Sequence, residues 1–340
     1  CGDHWGSPTG HQCCSEWTFV ADIATCIVHH SHAVDGSALL RNSPFLMSHN
    51  ATTGYSGGHM GWANWFKTQS LSLPAQLSCG VRALDTRVIV QEGNFDDIRF
   101  HHSEVVNGWL AAGWVSQDQS VSTEIPEVVS WAQAHPDELV ILSLSHCYSS
   151  ASRLLGMATE VANLECSDSR LIEAFTRLGV RAQTSCDQLN SWTLDEAKQA
   201  AEMEGGGRVL LIPGEDYCVN SNWDSSVTHV DHIEDYIDRT MQAEQEGAQM
   251  FQVQAFPQQA WTRDNFLGTV PLSSDLNAQV LRWLHNSGKL EGVNLLEMNL
   301  ICAHGPSIAR LFGAAVSEGD LAQCAASCAQ ACQQAGGCHL

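Results

Sequence analysis

Short apolar runs punctuate the chain between about residues 41 and 305, and stretches with apolar positions at helical spacing lie between them. The runs 45–48, 81–90, 98–101, 139–145, 209–212, 250–256 and 293–298 have the length and the Val, Ile, Leu and Phe content of buried strands. An eighth run, 217–220, carries a weaker pattern. Residues 124–134, 150–164, 194–203, 230–246 and 274–286 read as amphipathic helices between them. Strand–helix alternation predicts an α/β fold, and eight such units close a TIM-type (β/α) barrel with its chemistry at the C-terminal strand ends. One connection resists this reading. About seven residues separate the second run from the third, where a parallel crossover needs about a dozen.

The two ends of the chain are different. Residues 1–40 are rich in Gly and His and carry Cys1, Cys13, Cys14 and Cys26, while the tail 306–340 carries Cys324, Cys328, Cys332 and Cys338. Three expected units follow: a Cys-rich N-terminal segment (1–40) packed on a barrel (41–305), and a Cys-rich helical tail (306–340). On a helix, Cys324, Cys328 and Cys332 form one stripe and cannot all pair with one another, so partners in the N-terminal segment are expected. The full count of 14 cysteines is even and suits seven disulfides formed in an oxidising compartment. Zinc is the rival, but adjacent Cys13 and Cys14 and the lack of recurring CxxC pairs weigh against it. His29, His30 and His32 read as a surface cluster.

Charge narrows the range of partners. With 38 acidic against 16 basic residues the net charge is −22, which repels nucleic acid and anionic bilayers at long range. No apolar run reaches the ~20 residues of a membrane span. A chain that opens at Cys1, with no basic-then-apolar leader, suits a secreted product whose signal peptide has been removed.

Three strand ends carry polar residues where a buried strand should be apolar. Phe45–Ser48 runs straight into His49-Asn50; Arg82, Asp85 and Arg87 lie within the second run; His101-His102 end the third. Asp85 and Arg87, two apart, share a face, and inside a barrel they must pair with each other or with a ligand. Any one of these histidines alone is more simply a satisfied polar residue at a barrel mouth. Together, two imidazoles that titrate near neutrality can act as base and acid on opposite sides of a phosphodiester, with a guanidinium holding the phosphate.

The order of these residues resembles the phosphatidylinositol-specific phospholipase C superfamily. That family carries His-Asp or His-Asn after its first strand, Gly-Ile-Arg-x-x-Asp-x-Arg on its second and His-His-Gly or His-Gly on its third. Here the matching positions read His49-Asn50, Gly80-Val81-Arg82-Ala83-Leu84-Asp85-Thr86-Arg87 and His101-His102-Ser103. Gln69-Ser70 and Gln76-Leu77 resemble the family's helix before the second strand, and His135 to Leu142 its step into the fourth. The likeness is clear over 45–145 and weak over 208–301. It implies a distorted barrel with a short link after strand two, His49 as general base, His102 as general acid, and Arg87 with Asp85 at the phosphate. Arg87 falls where animal members place a calcium ligand, so no metal is expected; calcium held by Asn50 and Asp85 is the alternative. Asn50, Arg82, Trp109 and Asn299 are candidate substrate-binding residues, although Arg82 lies off the Asp85/Arg87 face.

Three departures stand out: Ser103 for glycine, Asn50 for the bacterial aspartate, and Asn299 for the aspartate that supports the base. Ser145-His146 stands where animal members carry a calcium-binding glutamate. Asn50-Ala51-Thr52 is also a glycosylation sequon, expected to be unmodified because a glycan there would block the cleft. Scarce Lys and Arg favour a lipid or small phosphodiester without extra phosphates, such as phosphatidylinositol or a glycosylated inositol lipid. Trp62 and Trp65 follow the first catalytic loop and either contact a membrane interface or pack in the core. Two rival readings stand beside this one. The first is a metal-dependent glycerophosphodiesterase or sphingomyelinase-D-like barrel, which Arg87 opposes. The second is an inactive barrel binding inositol or sugar phosphates, which the two Asn replacements favour.

Overall fold

A computed structural model describes residues 35–55, 67–151, 160–214, 217–224, 226–227, 232–244, 247–256, 274–287, 292–302 and 304–334. Its strands are β1 (Phe45–Ser48), β2 (Ala83–Gln91), β3 (Ile98–Val106), β4 (Trp109–Ser120), β5 (Val140–Ser150), β6 (Val161–Asn163), β7 (Arg181–Ala182), β8 (Val209–Pro213), β9 (Val219–Ser221), β10 (Met250–Gln254) and β11 (Leu295–Met298). Eight of them form a curled sheet in the order β7-β8-β5-β2-β1-β11-β10-β9, every neighbouring pair parallel. This is the expected α/β distorted barrel, left open between β7 and β9 among the described residues. The disulfide Cys186–Cys218 spans that seam, because Cys186 opens the helix after β7 and Cys218 immediately precedes β9. A covalent staple thus stands where hydrogen bonds would otherwise protect two sheet edges.

The third run, 98–101, is not a barrel stave. β3 runs antiparallel to the upper half of β2, with Val88 opposite Phe100, and continues into a long hairpin with β4. Antiparallel neighbours need only a tight turn, which explains the short connection. β4, absent from the sequence reading, alternates poorly and contains Gly and several Gln and Ser. Helix 150–164 is also corrected: β5 runs through Ser150, β6 covers Val161–Asn163, and 152–159 lie outside the described residues. The other four helices are present as Val121–Ala134, Leu194–Ala200, Ile233–Glu244 and Ser274–Ser287.

Alternation along the strands builds two apolar layers. Leu46, Leu84, Leu142, Leu211, Val253 and Leu296 face outward into the helices. Phe45, Met47, Ala83, Ile141, Leu210, Ile212, Met250 and Leu295 face inward and fill the lower barrel. Four disulfides lie among the described residues: Cys79–Cys324, Cys147–Cys166, Cys186–Cys218 and Cys302–Cys328. Cys324 and Cys328 therefore tie the helix Glu318–Gln334 to the barrel, and not to the N-terminal segment as the stripe suggested. Cys1, Cys13, Cys14, Cys26 and Cys338 lie outside the described residues, as do the His29–His32 cluster and most of the 1–40 segment.

Candidate active site

The inner face changes character halfway up the barrel. Two residues above Met47, Ala83, Ile141, Met250 and Leu295 stand His49, Asp85, Ser143, Gln252 and Glu297, nearly all fully buried. Each of these five strands thus supplies an apolar floor and then turns polar toward the end where barrel enzymes place their chemistry.

His49 follows β1 and is 7 % exposed. Its Nδ1 is 2.8 Å from Asn299 Oδ1, just beyond β11, and its ring stacks on Phe256 at 4.2 Å, just beyond β10. The backbone around it is clamped from several sides. Thr68 Oγ1 and Gln69 Nε2 donate to the His49 carbonyl, and Gln69 Nε2 also donates to the Met298 carbonyl. Burial and the nearby Arg87 charge push the His49 imidazole down to about 3, against support from Asp85 and Asn299. At neutral pH it is an uncharged base.

Asp85 is fully engaged. Its Oδ2 accepts from Arg87 Nε at 3.0 Å and from the Asn50 backbone N–H at 2.9 Å, and its Oδ1 accepts from the Ser145 hydroxyl. Burial favours its neutral form, but Arg87, His49 and Ser145 outweigh it and hold the carboxyl below the usual range. The expected Asp85–Arg87 pairing is therefore present.

β3 descends from the top of β2 and brings His102 over the end of β1. The His49 and His102 rings meet edge to face, centroids 5.8 Å apart. His101 points elsewhere: fully buried, it donates from Nε2 to the His146 carbonyl at 2.8 Å. Burial also pushes this imidazole down to about 3.

The remaining candidates separate. Asn50 is fully buried with φ 41°, its side-chain Nδ2 has no acceptor among the described residues, and its enclosure leaves a glycan no access in the folded state. Asn299 is placed as support for His49. Arg82 is not in the site: it pairs with Glu138 at 2.7 Å, donates to the Leu77, Val81 and Ala315 carbonyls, and stacks over Trp131 at the opposite end of β2. Trp109 is half exposed beside the β3–β4 turn, four residues of strand (about 13 Å) past the His102 level. Trp114, opposite His102, packs on the core edge. Trp62 and Trp65 lie outside the described residues. Sequence reading missed Phe256 and Glu297 altogether. Counting two residues up from each inward apolar position would have found Glu297, whereas Phe256 lies just past its strand and gives no such signal.

Neutral buried imidazoles make the fold acid-sensitive. Unfolded histidines titrate near 6.5 and these two near 3, so between those values the unfolded chain takes up protons that the folded one refuses. Stability is then fully present above about pH 6.5 and falls on acidification at about 1.4 kcal/mol per pH unit for each group. His101→Gln, which keeps a donor for the His146 carbonyl, should remove about half of that slope in denaturant melts at pH 6.5, 5.5 and 4.5. Parallel slopes for variant and wild type would show that His101 is not held neutral.

The arrangement defines an α/β barrel with an imidazole pair and an Arg–Asp pair at its mouth. The chain carries the fold of the bacterial phosphatidylinositol-specific phospholipases C. It superposes on the phosphatidylinositol-specific phospholipase C of Listeria monocytogenes with a TM-score of 0.52 and 15% identity, covering 82% of this chain and 96% of that one. A point mutant of the Staphylococcus aureus enzyme gives a TM-score of 0.54 and 13% identity, with 84% and 95% covered. No protein-family model and no curated protein sequence matches the chain.

Proposed function

We propose that the protein is a phosphodiesterase acting on a phosphatidylinositol-like or related diester through a cyclic phosphate. The observation that carries this reading is the His49–His102 pair at 5.8 Å beside the Asp85-bound Arg87. His49 takes the proton from a substrate hydroxyl next to the phosphate, and that oxygen attacks phosphorus. His102 gives a proton to the departing alcohol as its P–O bond breaks. The products are the cyclic phosphate and the free alcohol. Arg87 neutralises the phosphate while Asp85, Ser145 and Asn50 fix its direction. Asn50 holds the Asp85 carboxylate through its backbone N–H, and Asn299 orients His49.

Arg87 is the only arginine or lysine in this cluster among the described residues, which suits a singly charged phosphodiester over a polyphosphorylated one. Disulfides support a secreted protein working in an oxidising compartment. Trp62 and Trp65 are proposed as transient membrane-interface contacts; one of the Staphylococcus aureus structures is described as addressing membrane binding of that enzyme. The test is hydrolysis of phosphatidylinositol vesicles and of a soluble inositol phosphodiester, with release of a cyclic phosphate followed by phosphorus NMR. Because Arg87 occupies the place of a cation, turnover should survive excess EDTA unchanged. Complete loss, restored by calcium, would instead make Asn50 and Asp85 metal ligands.

A further inference from the structure

The proposed base must become an imidazolium during turnover, in a site that opposes it. His49 is enclosed, its Nδ1 faces an uncharged amide in Asn299, and a guanidinium lies nearby. Asp85 favours the protonated ring, but its carboxylate is shared with Arg87 at 3.0 Å. The groups facing His49 are Asp85 and Arg87 from β2, His102 from β3, His146 within β5, Asn299 beyond β11, and Glu297 on β11. Asp85 and Glu297 are the two acids in this set. Glu297 is fully buried, and its carboxylate oxygen, a His49 ring nitrogen and an Asp85 oxygen all lie within 4.8 Å of one another. It stands two residues before Asn299 on the same strand end, on the inward face.

The geometry points to Glu297 as a positioning residue that supplies the negative charge stabilising protonated His49, in place of a carboxylate on Nδ1. The inference rests on His49 being the base. An anion this close raises the affinity of the imidazole for a proton and lowers the energy of the imidazolium once formed. Glu297 touches neither phosphorus nor the leaving group in this role, so it sets the strength of the base without joining the bond changes.

The first measurement does not need turnover. The His49 ring is titrated by NMR in wild type and in Glu297→Gln, which keeps shape and removes charge. The midpoint is expected to fall in the variant. In the kcat/KM profile the acid limb, which reports the base, should move to lower pH, and kcat should drop about 10–100-fold, the usual scale for loss of an orienting partner. Adding Asn299→Asp to Glu297→Gln returns a charge from the other side of the ring and should restore both midpoint and limb. If Glu297→Gln does not fold, Glu297→Asp is read in its place, with a smaller shift in the same direction. An unmoved His49 midpoint in a folded variant overturns the inference, even where the diester is cleaved. A lowered midpoint in a protein that cleaves no phosphodiester upholds the coupling and removes the proposed function instead. Loss of wild-type activity with EDTA, regained with a divalent ion, would place a cation on Asp85 beside His49 and also overturn it.

Discussion

His49→Ala and His102→Ala are each expected to lower kcat/KM by about 10²–10⁴-fold, the scale of a positioned proton acceptor or donor. The two losses should differ in how they depend on the leaving group. A nitrophenyl phosphodiester releases an oxygen that departs without a proton, so His102→Ala should lose far less activity on it than on a lipid diester. His49→Ala should lose equally on both, since the attacking hydroxyl is the same. The wild-type kcat/KM profile should be bell-shaped, one limb for the neutral base and one for the protonated acid. The acid limb should lie below the usual histidine range, because burial and Arg87 hold His49 neutral down to about pH 3 in the empty site. His101→Gln is the matched control. Its imidazole is committed to the His146 carbonyl, so its removal should leave the leaving-group dependence intact. Equal losses on both substrates for His102→Ala would take the acid role from His102.

Much of this was legible from local pattern alone. Phe45–Ser48 is an apolar strand ended by His-Asn, and it forms as read because every residue in it is buried. Asp85 and Arg87 share a face by strand alternation, so their pairing follows from the cost of enclosing either charge alone. The short link before 98–101 signalled that a parallel stave could not fit there. What it could not convey was the missing stave: β7 has only two residues, both exposed, and carries no hydrophobic signature. Long-range facts escaped for a different reason. Cys79 and Cys324 are 245 residues apart and Gln69 reaches Met298, and no local periodicity encodes which distant turns meet. Arg82 shows the converse. Its motif position suggested substrate, but its place on the strand puts it at the barrel's other end, locking Glu138 and the chain before the C-terminal helix.

The second large effect concerns stability as much as rate. Asp85→Asn should destabilise the protein by about 3–5 kcal/mol, the range found when one partner of a buried ion pair is removed. Arg87 and Asp85 are both less than a tenth exposed, so the guanidinium stays enclosed beside His49 with the Asp85 charge gone. The Asn50 backbone N–H and the Ser145 hydroxyl lose a charged acceptor at the same time. That loss reaches the left-handed turn at Asn50 and with it the placement of His49. Activity should therefore fall together with the denaturant midpoint. Asp85→Asn combined with Arg87→Met separates the two causes. Removing both charges relieves the buried charge imbalance, so stability should recover by a substantial part of the single-variant loss. Catalysis should not recover, since no guanidinium remains to meet the phosphate. Equilibrium unfolding in urea measures the first outcome and diester cleavage the second. If the double variant is no more stable than Asp85→Asn, the cost lies in the lost hydrogen bonds to Asn50 and Ser145. The Asp85–Arg87 pair would then act chiefly as a brace for the β1 turn, with its charge balance secondary.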